Sequence, residues 1–272
     1  MKYSTATSVL VHYAIEDVVP IIKEAGFDGL DIWGGRPHVY RDDYSAGELR
    51  KLADVVRQSS LEVPSFMPAF YRYPHSLSGP NDTVRQDSVG YMKKCADNAA
   101  ILDAKILLIV PGHSLAGQTV SDARSRLVES IQTICEYCEQ YSFRLGIEPA
   151  NSSVTDLVVT HEDALEIIGL IGHQLLGVVM DSGHLFLNGE KLPDIFRNLR
   201  RLLLQFHVSD NDGQSQQNAI PGEGKFDFPA FFRELELQQY TGFVSAELGY
   251  HYANDPLPAL RETLKRLKNW GG

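Results

Sequence analysis

Four residues in the second half of the chain have the types and spacing of a divalent-cation site. Glu148, Asp181, His207 and Glu247 each stand at the end of a short apolar run: FRLGI, LLGVVM, LLLQF and GFVSA. Three carboxylates and an imidazole suit Mn2+, Co2+, Mg2+ or Zn2+, and without thiolate ligands they do not make a purely structural zinc site. Such an ion polarises a carbonyl, and carboxylates beside it can take a proton from the neighbouring carbon and give it back. Any one of the four, taken alone, reads as a strand-end residue paired with a nearby Lys or Arg. Four in succession, with little basic sequence beside them, favour the metal.

The separations of 33, 26 and 40 residues are each about one strand-plus-helix unit, so the elements between them matter. Eight short β-branched runs are expected as strands: YSTATS, GLDIW, LEVPSFM, KILLIVP, FRLGIEP, LLGVVMD, LLQFHVS and GFVSAEL. Eight stretches of helical periodicity alternate with them, beginning at residues 14, 46, 81, 121, 161, 191, 228 and 255. Alternation of this kind is the signature of βα units and a parallel sheet. The expected fold class is α/β, a single (β/α)8 TIM barrel over residues 1–272, because the length matches the roughly 250 residues of that fold. A doubly wound open sheet is the alternative, but no G-x-G-x-x-G follows the first strand. In a barrel, consecutive strand ends converge on one mouth, where the four residues would meet.

Ser121, Thr160 and Asp255 are expected helix starts, and the loop at 70–82 is the longest irregular insertion before the fifth strand. CEYC at 135–138 has the form of a redox C-x-x-C, yet it falls in a helical pattern without a second pair, so packing is its expected role. PGEGK at 221–225 lacks the P-loop spacing and is expected to be a loop beside the mouth. Asp210 and Asp212 are expected to line the site, orient His207 or solvate the loop.

A net charge of -10 opposes a phosphate backbone, so no nucleic-acid partner is expected, although a local basic cleft would escape this global argument. The N-terminus lacks the pattern of a secretion signal, and no apolar run approaches a membrane span, so no membrane partner is expected. Three cysteines, an odd number, suit reduced thiols, and the expected localisation is cytoplasmic. A homo-oligomer is left open.

GFDGLDIWGGRPH at 26–38, IEP at 147–149, MDSGH at 180–184, HVSDNDG at 207–213, IPGEGK at 220–225 and AEL at 246–248 together carry a resemblance. By their order and spacing, over nearly the whole chain, it resembles the xylose isomerase-like barrel superfamily, and within it the ketose 3-epimerases of the D-tagatose and fructoselysine type. The resemblance implies one divalent ion, Mn2+ first among the candidates, held by Glu148, Asp181, His207 and Glu247. It implies a small-molecule sugar substrate whose C3 is inverted through a cis-enediolate, with Glu148 and Glu247 as the catalytic acid and base. It also implies that His184 touches a substrate oxygen. His113 after the fourth strand, and Trp33, Arg36 and His38 after the second, are further expected substrate contacts from their positions. Where D-tagatose 3-epimerase has a substrate-binding glutamate and an arginine, this chain has Val154 and Gly213, a departure from that pattern, while SDNDG, IPGEGK and IWGGRPH resemble the fructoselysine branch.

Three other functions compete. An endonuclease IV-like DNA-repair hydrolase shares the barrel and several of these positions, but it needs an Asp-x-His pair after the metal histidine, and residues 208–224 contain no histidine. An inosose dehydratase-like lyase would use the same enediolate chemistry. A non-catalytic sugar-binding protein is disfavoured because both flanking glutamates are present.

Overall fold

The computed structural model describes residues 1–70 and 74–272. Residues 71–73, part of the insertion expected at 70–82, lie outside the described residues. Eight parallel strands close on themselves in chain order: β1 (Lys2–Ala6), β2 (Gly29–Gly34), β3 (Ser65–Pro68), β4 (Ile106–Ile109), β5 (Arg144–Ile147), β6 (Leu176–Asp181), β7 (Leu203–Val208) and β8 (Phe243–Ala246). β1 pairs with β8 through Tyr3 opposite Val244 and Thr5 opposite Ala246, which completes a (β/α)8 barrel. The expected start of the third strand is shortened to a bridge at Glu62, since Pro64 has no N–H to continue the ladder.

Nine α-helices lie among the described residues: α1 (Ile15–Ala25), α2 (Ala46–Gln58), α3 (Asp82–Ile101), α4 (Val120–Cys138), α5 (His161–Ile171), α6 (Ser182–Leu187), α7 (Leu192–Leu199), α8 (Phe228–Leu237) and α9 (Pro256–Gly271). Eight match the expected stretches. α6 is additional, a short helix immediately after β6. Thr160 caps α5 in a reciprocal capping box with Asp163. Ser121, however, is not the cap of α4: Thr119 is, its hydroxyl accepting from the Asp122 N–H, so the helix begins earlier than expected. Asp255 precedes α9 without a side-chain capping bond, and Pro256 starts the helix with its fixed φ. Cys135 and Cys138 are buried on one face of α4 as unpaired thiols, and burial pushes both up to about 12, far from the thiolate form that redox chemistry uses.

The barrel wall separates two apolar sets. Leu107, Ile109, Val178 and Met180 face outward into the large core shared with the helices, whereas Ile106, Leu108 and Val179 face inward with Ala6 and Met67. That alternation breaks once. Val178 pairs with Leu203 but Val179 pairs with Gln205, leaving Leu204 as an extra residue in β7. The space for Leu204 comes from two facing glycines, Gly146 and Gly177: a Cβ on Gly177 would stand 2.6 Å from Leu204 Cγ, and one on Gly146 2.7 Å from Val179 Cγ2. Because side chains alternate with period two, one inserted residue reverses the facing of everything after it. Leu204 and Gln205 thus both reach the interior, and His207 follows on the inner face directly opposite Asp181.

Below that level the interior holds a polar layer. Asp31 on β2 is fully buried and accepts hydrogen bonds from Ser65 Oγ (2.6 Å), Gln205 Nε2 (2.8 Å) and Ser245 Oγ. Gln205 and Ser245 precede His207 and Glu247 by two residues on their strands, so this layer lies directly beneath the expected site.

Candidate active site

Glu148 and Glu247 sit one residue past the ends of β5 and β8, yet their backbones stay in the ladder. The Glu148 N–H donates to Ile109 O (3.1 Å) and the Glu247 N–H to Val208 O (3.0 Å). Both carboxylates converge on one ring nitrogen, His207 Nδ1, which lies 2.8 Å from Glu148 Oε1 and 3.4 Å from Glu247 Oε2. One ligand atom from each of Glu148, His207 and Glu247 falls within 4.8 Å of the others. Opposite donors of an octahedral ion with ~2.1 Å bonds stand about 4.2 Å apart, so the trio is close to ligating distance.

Asp181 is not in that trio. Its Oδ1 accepts from the His184 N–H (2.9 Å) and caps α6, which is why a short helix begins there. Its Oδ2 is buried without a hydrogen-bond partner, and so is His207 Nε2. A buried carboxylate oxygen left unpaired is costly unless a cation satisfies it. Three carboxylates, one of them with an orphaned oxygen, and an imidazole fit a divalent ion.

The electrostatics agree. Burial pushes the Asp181 carboxyl up to about 6; His184 opposes the rise, and the Glu247 and Glu148 charges add to it. Burial pulls the His207 imidazole down, but the Glu148 charge and the bonds to both glutamates override it and hold the ring well above the usual histidine value. Glu247 stays below the ordinary glutamate value: burial works against this, and His207 and then His184 outweigh it.

The site opens into a cleft of about 900 Å³, whose lining includes Glu148, Glu247, His184 and Trp33. His184 is oriented by Asn151, a residue that sequence reasoning missed. Asn151 Oδ1 accepts from the Ser153 N–H (2.9 Å), and a backbone N–H can only donate, so the amide's Nδ2 must face His184 Nδ1 at 2.9 Å. His184 Nδ1 is therefore an acceptor, and the neutral ring carries its proton on Nε2 as a donor. No local sequence signal marks Asn151 beyond its place three residues after Glu148.

Three expected contacts lie elsewhere. Arg36 is exposed, forked onto Asp43 (2.6 and 2.8 Å) and stacked over Tyr40 at 4.6 Å, outside the cleft lining. Asp43 supplies a carboxylate only seven residues away, and that local partner takes the guanidinium. His38 is fully buried behind the cleft wall, its Nε2 bonded to Leu10 O (3.3 Å) and its Nδ1 to Thr7 Oγ1 (3.1 Å), whose oxygen also accepts from the Trp33 N–H. Burial lowers its pKa, and it supports the Trp33 backbone from behind the wall. His113 lines a smaller cavity of about 380 Å³ that shares Ser153 with the main cleft, and it donates from Nδ1 to Ser114 O (2.8 Å), with Asp156 at 3.3 Å. The two departures from the D-tagatose 3-epimerase pattern, Val154 and Gly213, both line the main cleft.

The HVSDNDG and IPGEGK segments are joined by Asp210, which does not contact His207. Buried two residues past the end of β7, it accepts from the N–H groups of Asn211 (2.8 Å), Gly222 (2.8 Å), Gly224 (2.9 Å) and Phe226 (3.1 Å). Gly224 has no room for a side chain: a Cβ would lie 2.3 Å from Asn211 O. Asp212 orders the next turn, accepting from the Gln214 (2.8 Å) and Ser215 (3.0 Å) N–H groups. Changing Asp210 to Ala strands four backbone donors, and the expected loss of stability is on the order of 2–4 kcal/mol, read as the shift of a urea unfolding midpoint. An unmoved midpoint would contradict this role.

The family model described as Xylose isomerase-like TIM barrel matches residues 19–270. The chain is 28% identical over 254 residues to fructoselysine 3-epimerase of Escherichia coli O157:H7, covering 93% of this chain and 92% of that protein. Among solved structures it superposes on 3-keto-D-glucoside 4-epimerase from E. coli with a TM-score of 0.83 at 19% identity, over 99% of each chain. It superposes on D-psicose 3-epimerase with D-tagatose from Clostridium cellulolyticum H10 with a TM-score of 0.82 at 14% identity, over 100% of this chain and 99% of that one. No described helix is long and apolar enough to cross a membrane.

Proposed function

Since the chain belongs to the xylose isomerase-like TIM barrel family, we propose that it is a divalent-metal-dependent sugar epimerase inverting the carbon beside a ketone, C3 of a ketose or ketose derivative. The observation that carries the reading is the convergence of Glu148 and Glu247 on His207 at the floor of the cleft. Inversion needs two proton-transfer groups, one for each face of the carbon, and the site supplies two carboxylates from non-adjacent strands. An ion held by Glu148, Asp181, His207 and Glu247, Mn2+ being the first to test, would polarise the ketone and stabilise the charge left when the proton departs.

The chain's own residues do the rest. One glutamate oxygen accepts the proton, and the other carboxyl delivers one to the opposite face. His184 Nε2–H donates to a substrate oxygen, held ready by Asn151. His207 sets the distance between the two glutamates, and the buried Asp31 layer beneath keeps the strand ends in place. Similarity to fructoselysine 3-epimerase supports the choice of reaction.

The test is a screen of ketoses in D2O with the Mn2+-loaded protein, read by NMR. Epimerised product should carry deuterium at the inverted carbon, since both carboxylates exchange protons with solvent. Loss of a hydroxyl instead of inversion would favour the dehydratase-like lyase. Full inversion without deuterium uptake, under conditions where turnover is slower than carboxyl exchange, would sink the two-glutamate mechanism.

A further inference from the structure

The cleft is far larger than the reacting centre needs. At about 900 Å³ it stands near the top of the roughly 300–1,000 Å³ range of small-molecule pockets, several times what one monosaccharide ring fills. Its walls differ in chemistry. The ends of β2, β3 and β4 contribute Trp33, Met67, Phe70, Leu108 and Val110, an apolar side with two aromatic rings. The loops after β5, α6 and β7 contribute Asn151, Asn188, Gln214, Gln216, Gln217 and Asn218, a side built of carboxamides. Among the described residues of the lining there is no Lys or Arg; the ionisable side chains are Glu148, Glu247, His184, Tyr250 and His251.

The carboxamides are also organised. Asn151, bonded to His184, donates to Gln216 Oε1 (3.5 Å), and Gln216 Nε2 donates to Asn218 Oδ1 (2.7 Å), a chain running outward from the reacting centre. Asp212 fixes the loop that bears them by accepting from the Gln214 and Ser215 backbones and from Gln217 Nε2 (3.3 Å). Each carboxamide offers donors and an acceptor, the complement of a hydroxyl group. An apolar, partly aromatic wall facing them complements the C–H face of a sugar ring. A phosphate or carboxylate substituent would instead meet two carboxylates and no described cationic side chain.

From this we infer that the substrate is a keto sugar joined to a second, uncharged sugar ring, the keto sugar lying at the glutamates and the second ring between the carboxamide loop and the apolar wall. The inference rests on the epimerase reading and names its substrate class. Binding energy from the distant ring would be spent at the reacting carbon and so raise kcat/KM.

A matched series tests it: D-fructose, 6-O-glucosyl-fructose and fructose 6-phosphate, each with the Mn2+-loaded protein. Deuterium exchange at the carbon next to the ketone is followed by NMR, and binding by calorimetry. The glucosyl derivative should exceed free fructose in kcat/KM by about tenfold or more, equivalent to one well-placed ring, with the 6-phosphate below both. Gln216→Ala should narrow the glucosyl-to-free ratio by roughly threefold or more. Equal rates for glucosyl and free fructose, or preference for the phosphate, overturn the inference and leave the epimerase reading standing. Tighter calorimetric binding of the glucosyl sugar without any exchange does the reverse, retaining the second-ring site and rejecting the epimerase. Neither binding nor exchange overturns both.

Discussion

Replacing Glu148 or Glu247 singly by Gln is expected to lower the rate of inversion by roughly 10²–10⁴-fold, the contribution typical of a positioned general acid or base. The amide keeps a carbonyl oxygen able to ligate an ion but has no carboxylate to accept a proton. Each glutamate closes on His207 Nδ1 from a different strand, β5 and β8, so neither can stand in for the other. The two variants should therefore fail alike in inversion while differing in hydrogen exchange. With one carboxylate intact, one epimer can still lose a proton and regain a deuteron on the same face. Which variant washes label into which epimer identifies the face each glutamate serves. Metal content measured alongside separates loss of the base from loss of the ion. A Gln variant that keeps its ion and more than about a tenth of wild-type inversion would rule out that residue as acid or base.

On the proposed metal-dependent reading, treatment with a chelator is expected to give the second large effect. Turnover should vanish and return on adding Mn2+, and the thermal midpoint should rise as the ion binds. At a hundredfold excess over Kd, linkage gives about 2.7 kcal/mol, which for a chain of this size is roughly 5–10 °C. The physical source lies in the arrangement of these side chains. Glu148 and Glu247 crowd their charges around a single imidazole, burial and those charges drive Asp181 up to about 6, and its Oδ2 has no partner. A divalent cation relieves all three conditions at once. His207→Ala removes the central donor, and its thermal midpoint should no longer respond to Mn2+. A wild-type protein fully active after exhaustive chelation, with under about 0.1 ion per chain, would overturn the metal reading; a His207→Ala variant with wild-type Mn2+ response would remove His207 from it.

What the residues alone determined follows from period and order. Apolar runs and helical stretches alternating eight times specify a parallel barrel, because each strand buries both faces and each helix one. Residues ending consecutive strands must then meet at one mouth, which is why Glu148, Asp181, His207 and Glu247 are legible without coordinates. α6 escaped because six residues cannot show a helical period, although Asp181 and His184 stood in the right cap spacing. Arg36, His38 and His113 are absent from the main cleft lining for one shared cause. Position after a strand places a backbone near the mouth, but the side chain goes to its nearest strong partner: Asp43 for Arg36, Thr7 and Leu10 for His38, Ser114 for His113.

Tertiary structure decided which way His207 points. Continued from the inward-facing Leu204, strict alternation would turn Gln205 and His207 outward, into the apolar core behind the barrel. The extra residue in β7 reverses that, and its side chain fits only because Gly146 and Gly177, distant in sequence, leave a gap on the neighbouring strands. Asn151 is decided the same way: its amide orientation is set by Ser153 and used by His184, 33 residues on. Sequence order fixes which strand ends are neighbours, while steric fit between strands fixes which side chains face each other across the mouth.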